Sequence, residues 1–304
     1  MSLPSLDLLL QADIPVVVCA RPWAQDLLAA YPLAGFVPMR GSWRADRASV
    51  RQHLKQSAAK RPYGLLLPDS LSSALAFRFA GIPCAGYRDD GRSLILRWPC
   101  RKPKAQLHAV QSWHFLSRFA LTRWQLPVTS PEPSPELQWQ AAIPHESQAA
   151  QALSAAGLAA HDFILIAPTA VGLHKGQIKT WPGFNSLTQA LQARGLQVVM
   201  APPAAEQDAA RLAAPTALCL PPLGLGAFAA LTRLARLVIC NDSGVSHLAA
   251  AAQARQITLF GVTDAARTGP WSNQALRMGR LGAWPSTAEV LTQALETLDI
   301  GSDA

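Results

Sequence analysis

Cysteine is scarce in this chain of 304 residues. The five present (Cys19, Cys84, Cys100, Cys219 and Cys240) are scattered, with no Cys-x-x-Cys pair and no Cys/His cluster at metal-ligand spacing. That excludes a structural zinc site and a disulfide framework, and the residues read as buried thiols in a reducing cytoplasm. Long apolar runs are missing as well. None reaches the roughly 18 residues needed to span a bilayer, and no basic region precedes the first apolar stretch. The expectation is a soluble cytoplasmic protein without an export signal. Also missing are GxGxxG, a Walker loop, GxSxG, HExxH and an Asp-x-Asp pair for a metal-bound nucleotide. Dinucleotide, P-loop, nucleophile-elbow and zinc-protease chemistries are thereby set aside.

Acidic residues are few in the first half. Residues 1–145 hold 17 Lys and Arg against 9 Asp and Glu, whereas 146–304 hold 10 of each, so the net charge of +8 is carried by the N-terminal half. Such a half can meet nucleic acid, an anionic membrane surface or an acidic substrate, or can simply be solvated. No RNA- or DNA-binding motif accompanies it, and the aromatic residues do not interleave with the basic ones. Nucleic acid is therefore not an expected partner.

The length is about twice that of a typical domain, which suggests two. Prolines at 127, 131, 133, 135 and 144 rule out a helix or central strand there, so the spacing predicts a domain over 1–130, a linker over 131–145 and a second domain over 146–304. The first domain opens directly in a helical pattern (Leu3, Leu6, Leu9, Leu10). Strands follow at Val16 to Cys19, Gly64 to Leu67 and Ile82 to Tyr87, with a basic helix from Arg44 to Lys60, an Arg-rich loop from Arg88 to Lys104 and a helix from His108 to Arg123. The second domain alternates more cleanly. Strands at Phe163 to Ala167, Gln197 to Met200, Ala217 to Leu220, Leu237 to Ile239 and Ile257 to Phe260 alternate with helices, the pattern of a doubly wound α/β domain.

Three stretches of the second domain carry chemistry. Asn241-Asp242-Ser243-Gly244 follows a strand and opens a helix, so backbone N–H groups and a positive dipole end favour a bound phosphate. Ser243 and the Gly244 N–H are the phosphate donors, while Asp242 either accepts from a sugar hydroxyl or caps the helix. His247, in the first turn, is a further donor or a structural residue. The loop PTAVGLHKGQIKTWPGF leaves the first strand of this domain. In it Thr169 offers a hydroxyl, His174 and Lys175 offer polar contacts, and Lys179 either sets a point charge against a diphosphate or is solvated. Glu206, after the next strand, either stabilises a helix dipole or accepts from ribose hydroxyls.

Together PTAVGLHKGQIKTWPGF with its Lys-x-Trp-Pro, VVMAPPAAE with its glutamate, and NDSGVSHLAAA followed by ITLFGVTD resemble glycosyltransferase family nine, the ADP-heptose:lipopolysaccharide heptosyltransferases. LLLPDSLSSALAFRFAGIPCAGYRDDGRSLIL and His108 match more loosely. The resemblance implies a GT-B architecture, two Rossmann-like domains facing across a cleft. It further implies an inverting, metal-independent transfer of heptose from ADP-heptose to the lipopolysaccharide inner core. The protein would be a monomer that needs no cofactor and lies at the inner face of the inner membrane.

In that scheme Lys179 neutralises the leaving diphosphate, Ser243 and Gly244 hold its oxygens, Glu206 takes the ribose, Asp242 holds the sugar, and Leu223 to Leu225 pass near the adenine. Thr169 and His247 complete the donor-binding set. Family members open with a strand and a Gly-Asp pair whose aspartate is the proposed base, and Met1 here stands just after that place. Either the coding sequence begins further upstream or the base is truly lacking. Asp69, at the end of its strand, is the substitute candidate. The rival expectation is a catalytically silent nucleotide-sugar-binding protein of the same fold.

Overall fold

The computed structural model describes residues 1–57, 62–171, 173–174 and 176–300, and the chain divides into two compact units, Met1–Ser134 and Pro135–Ala304. The first unit runs α1 (Leu3–Gln11), β1 (Val17–Ala20), α2 (Trp23–Leu27), β2 (Gly35–Pro38), α3 (Trp43–Gln56), β3 (Gly64–Leu66), α4 (Leu71–Ala80), β4 (Cys84–Tyr87), β5 (Trp98–Cys100) and α5 (Ala109–Arg123). Among the described residues all its strand pairs are parallel, and they form two sheets, β1-β2 and β3-β4-β5. One apolar cluster nevertheless joins them. Cys19 of the first sheet and Leu66 and Cys84 of the second pack together with Val37, Val50 and Ala74.

Local chemistry explains several boundaries. Ser70 caps α4 by accepting from Ser73 N, and Gly81, at φ +90, ends that helix in the left-handed conformation. His108 and Gln111 form a capping box at the start of α5. α3 stops at Gln56, so the basic helix expected as far as Lys60 is shorter, and residues 58–61 lie outside the described part. Asp46, the single acid of α3, is buried and accepts from the backbone of Arg40 at 2.7 Å and of Gly41 at 3.1 Å. The Arg-rich loop expected over Arg88 to Lys104 contains β5. Pro99 is accommodated there because β5 is the edge strand and needs no ladder donor on its outer side.

The second unit runs α6 (Ile143–Ala155), β6 (Phe163–Ala167), β7 (Leu173–His174), β8 (Gln177–Ile178), α7 (Phe184–Gln192), β9 (Gln197–Met200), α8 (Gln207–Ala213), β10 (Leu218–Cys219), α9 (Leu225–Leu234), β11 (Leu237–Asn241), α10 (Gly244–Ala251), β12 (Gln256–Phe260), α11 (Ala265–Thr268), β13 (Ala275–Gly279) and α12 (Thr287–Thr297). Its main sheet is parallel throughout, in the order β10-β9-β6-β11-β12-β13. β6, β11 and β12 are buried along their whole length, as near-continuous apolar runs covered by helices should be.

The proline-rich stretch expected to be a linker as far as 145 is partly built into this unit. Leu137 and Trp139 are buried, Trp139 N donates to the carbonyl of Ala251, and α6 begins at Ile143 with Pro144 in its first turn. α6 lies close against α9, where a Cβ on Gly226 would stand 2.3 Å from the His145 ring.

Candidate functional site

β6 and β11 are neighbours, in register from Ile164↔Leu237 to Ala167↔Cys240. From β6 the chain proceeds outward to β9 and β10, and β11 then starts the other half of the sheet. This is a topological switch point, and the crevice beyond the carboxyl ends of such strands is where a doubly wound sheet takes its ligand. Thr169 lies just past β6, Glu206 past β9, Asp242 past β11 and Thr263 past β12. Lys179 follows the β7-β8 hairpin in the connection from β6 to α7.

Two polar clusters form on this rim. In one, Thr169 Oγ1 donates to Glu206 Oε2 at 2.5 Å. In the other, Asp242 Oδ2 accepts from Thr263 Oγ1 at 2.6 Å and pairs with Lys179 Nζ at 3.3 Å. The Asp242 side chain is 7 % exposed and that of Lys179 22 %, so both charges are largely withdrawn from bulk water and attract each other more strongly than they would in it. Asn241 supports the arrangement from below. Its Oδ1 accepts from Trp181 N at 2.8 Å and its Nδ2 donates to the Ala167 carbonyl at 3.2 Å, joining the strand end to the lysine-bearing loop. Trp181 is itself held by Nε1–H donating to the Pro285 carbonyl and by an edge contact with Phe184.

Ser243 caps α10, its hydroxyl accepting from Val245 N at 3.3 Å. Gly244, the first residue of α10, is exposed, and a Cβ there would meet no described atom within 4 Å outside its chain neighbours and its own helix backbone. His247 sits in the first turn of α10, half-buried. Leu223 and Leu225, both half-buried, lie where β10 leads into α9, two strands away from β6. Lys175 lies outside the described residues.

Asp69, the candidate base in the first unit, stands past β3, but both of its oxygens face cations. Lys102 Nζ is 2.7 Å from Oδ2, and an Arg92 nitrogen is 3.6 Å from Oδ1. Lys102 also pairs with Asp89 at 2.6 Å. Burial works to lower the Lys102 pKa, but its hydrogen bonds to Asp69 and Asp89 outweigh that and raise it. Arg92 is wholly buried, and burial lowers its pKa while Asp69 opposes the shift. A carboxylate engaged in this way serves as counter-ion to two cations.

The family model for glycosyltransferase family 9 (heptosyltransferase) matches residues 47–297. The chain belongs to this family. The fold of this family 9 chain is also that of solved relatives. The ADP-heptose lps heptosyltransferase II of E. coli matches with a TM-score of 0.73 at 24% identity, over 97% of this chain and 93% of that one. The E. coli heptosyltransferase WaaC, solved with ADP, matches at 0.74 and 21%, over 97% and 95%. A family 9 glycosyl transferase from Veillonella parvula DSM 2008 matches at 0.75 and 16%, over 99% and 86%. No curated protein sequence matches the chain. Thr263 and Asn241 were not singled out from the family 9 motifs as site residues. Each had a weak signal: Asn241 opens the polar turn Asn241-Asp242-Ser243-Gly244, and Thr263 is the first polar residue after the apolar run that ends at Phe260.

Proposed function

We propose that this chain transfers heptose from ADP-heptose to the inner core of lipopolysaccharide, by a direct inverting displacement in which fixed protein donors rather than a metal offset the charge of the departing diphosphate. The observation that carries the donor half is the Lys179–Asp242–Thr263 cluster at the switch point, followed in the chain by the exposed first residue of α10, Gly244. Lys179 leaves its partner to meet the diphosphate, whose oxygens take the Gly244 N–H and the Ser243 hydroxyl. Asp242 holds a hydroxyl of the transferred sugar through Oδ1, while Glu206 and Thr169 take the ribose and Leu223 to Leu225 flank the adenine.

The acceptor, carrying acidic sugars and phosphates, suits the first unit, in whose half of the chain the excess positive charge lies. Calorimetric titration with ADP-heptose tests the donor half. Lys179→Ala and Asp242→Ala should each weaken binding about tenfold or more, as expected for one charge-assisted contact. Unchanged affinity in both variants would defeat the reading.

The pairing of Asp69 with Lys102 and Arg92 favours a second reading, donor binding without transfer. Incubation with ADP-heptose and a heptose-deficient lipopolysaccharide decides between the two. Extended product supports the transferase, and bound but uncleaved donor supports the silent protein.

A further inference from the structure

Helix α3 presents one unbalanced face. Arg44, Arg51 and Lys55 recur at helical spacing with Ala48 and Gln52 between them, and all five are exposed, while Val50 and Leu54 turn towards the core. Arg47 lies at the edge of this face and reaches the neighbouring helix, its Nε donating to the Phe79 carbonyl at 3.1 Å. Arg78 of α4, the residue before Phe79, is also exposed. No carboxylate within either helix answers these five cations, because α4 has none and the single acid of α3, Asp46, is buried under the Arg40–Gly41 backbone.

Apolar and aromatic groups stand at the same surface. Phe79 is 53 % exposed, its ring 5.8 Å from that of Trp43, and the Arg44 guanidinium lies 5.3 Å above the Trp43 ring. Between the two helices runs an open groove of about 510 Å³ lined by Ala48, Arg51, Gln52, Leu54, Lys55 and Ala80.

We infer that the α3–α4 face docks on an anionic phospholipid bilayer. The basic residues lie over the headgroups, Arg51 and Lys55 hold a headgroup phosphate at the groove, and Phe79 with Trp43 enters the boundary between headgroups and acyl chains. A cationic helix face flanked by an exposed Phe79 packed on the half-buried Trp43 has the composition of an interfacial helix. A nucleic-acid surface would have the cations but gives no use to the apolar part of the groove lining, Ala48, Leu54 and Ala80, or to the exposed Phe79. The inference is independent of the donor chemistry, since it concerns only the surface on which the first unit sits.

Co-sedimentation of the full chain with vesicles tests it. Binding to vesicles of equal parts phosphatidylglycerol and phosphatidylcholine should be strong at low salt, weak at high salt and negligible on phosphatidylcholine alone. Each basic residue removed should lower partitioning about fivefold. The charge-reversed variant Arg44→Glu/Arg51→Glu/Lys55→Glu should stay in the supernatant while keeping its thermal midpoint and its affinity for ADP. Arg44→Lys/Arg51→Lys should bind as the parent does, and Phe79→Ser should weaken binding without altering its salt dependence. Equal binding to neutral vesicles, or undiminished sedimentation of the charge-reversed variant, would overturn the inference. So would a chain that binds duplex or single-stranded oligonucleotides through this face but ignores the vesicles.

Discussion

Asn241 holds Trp181 by its backbone. The carboxamide oxygen takes the Trp181 N–H at 2.8 Å while its nitrogen donates to Ala167, and Asn241 is completely buried. Lys179, two residues before Trp181, is thereby tied to the end of the strand that neighbours its partner Asp242. Asn241→Ala should leave a buried N–H and a buried carbonyl unpaired and lower unfolding stability by about 2–4 kcal/mol, read from urea denaturation. Donor affinity should fall with it, because the lysine loop is released. Asn241→Asp should keep the first contact and lose the second.

Thr263 should act through Asp242. Thr263→Val removes the 2.6 Å hydrogen bond while keeping nearly the same volume, freeing the carboxylate to swing towards Lys179. ADP-heptose should bind about tenfold more weakly, in line with the loss of about 1.4 kcal/mol of positioning, while ADP alone should bind almost as before. Thr263→Ser should restore the parent affinity. Equal losses for ADP and ADP-heptose would show that Thr263 does not work through the sugar.

Gly244 permits a test that separates ligand from fold. Outside its chain neighbours and its own helix backbone, no atom of the described residues lies within 4 Å of the place its Cβ would occupy, so Gly244→Ala should fold with unchanged or slightly higher stability. The added methyl group sits on the first residue of α10, next to the N–H proposed to hold the diphosphate. Titration with ADP should show weakened binding beside an unshifted melting curve, whereas full ADP affinity would place the diphosphate elsewhere.

The buried thiols should mark the alkaline limit of stability. Burial pushes Cys84 and Cys240 up to about 12 and Cys100 up to about 11, against an ordinary value of 9. These groups bind their protons more tightly folded than unfolded. Their stabilisation is therefore complete below pH 9 and is lost as pH rises from about 9 towards 12. The urea midpoint should decline over that interval, and at neutral pH Cys84, Cys100 and Cys240 should resist alkylation until the chain is unfolded.

Much of the second unit was legible because its strands are continuous apolar runs between turn residues. The segments 163–167 and 197–200 match β6 and β9 residue for residue. The first unit was harder. β5 is three residues long with a proline at its centre, and only its pairing with β4 makes Trp98-Pro99-Cys100 a strand. Among site residues, Lys179, Glu206 and Asp242 were visible as charges placed after strands. Their partners were not, since no pattern in the chain brings Thr169 to Glu206 or Thr263 to Asp242. Asp69 was also visible as a carboxylate past a strand, but not the cations Lys102 and Arg92 that engage it, which arrive from beyond β4.

The reach of Asn241 bears on how the second unit folds. Its two hydrogen bonds span 74 and 60 residues of chain, so neither forms until long loops have closed and β6 and β11 lie side by side. The rim can assemble only late, as a product of completed non-local pairing rather than of any single βαβ unit. In a refolding time course, recovery of ADP binding should therefore trail recovery of helical signal, and a fragment that ends before β11 should recover helix without nucleotide affinity.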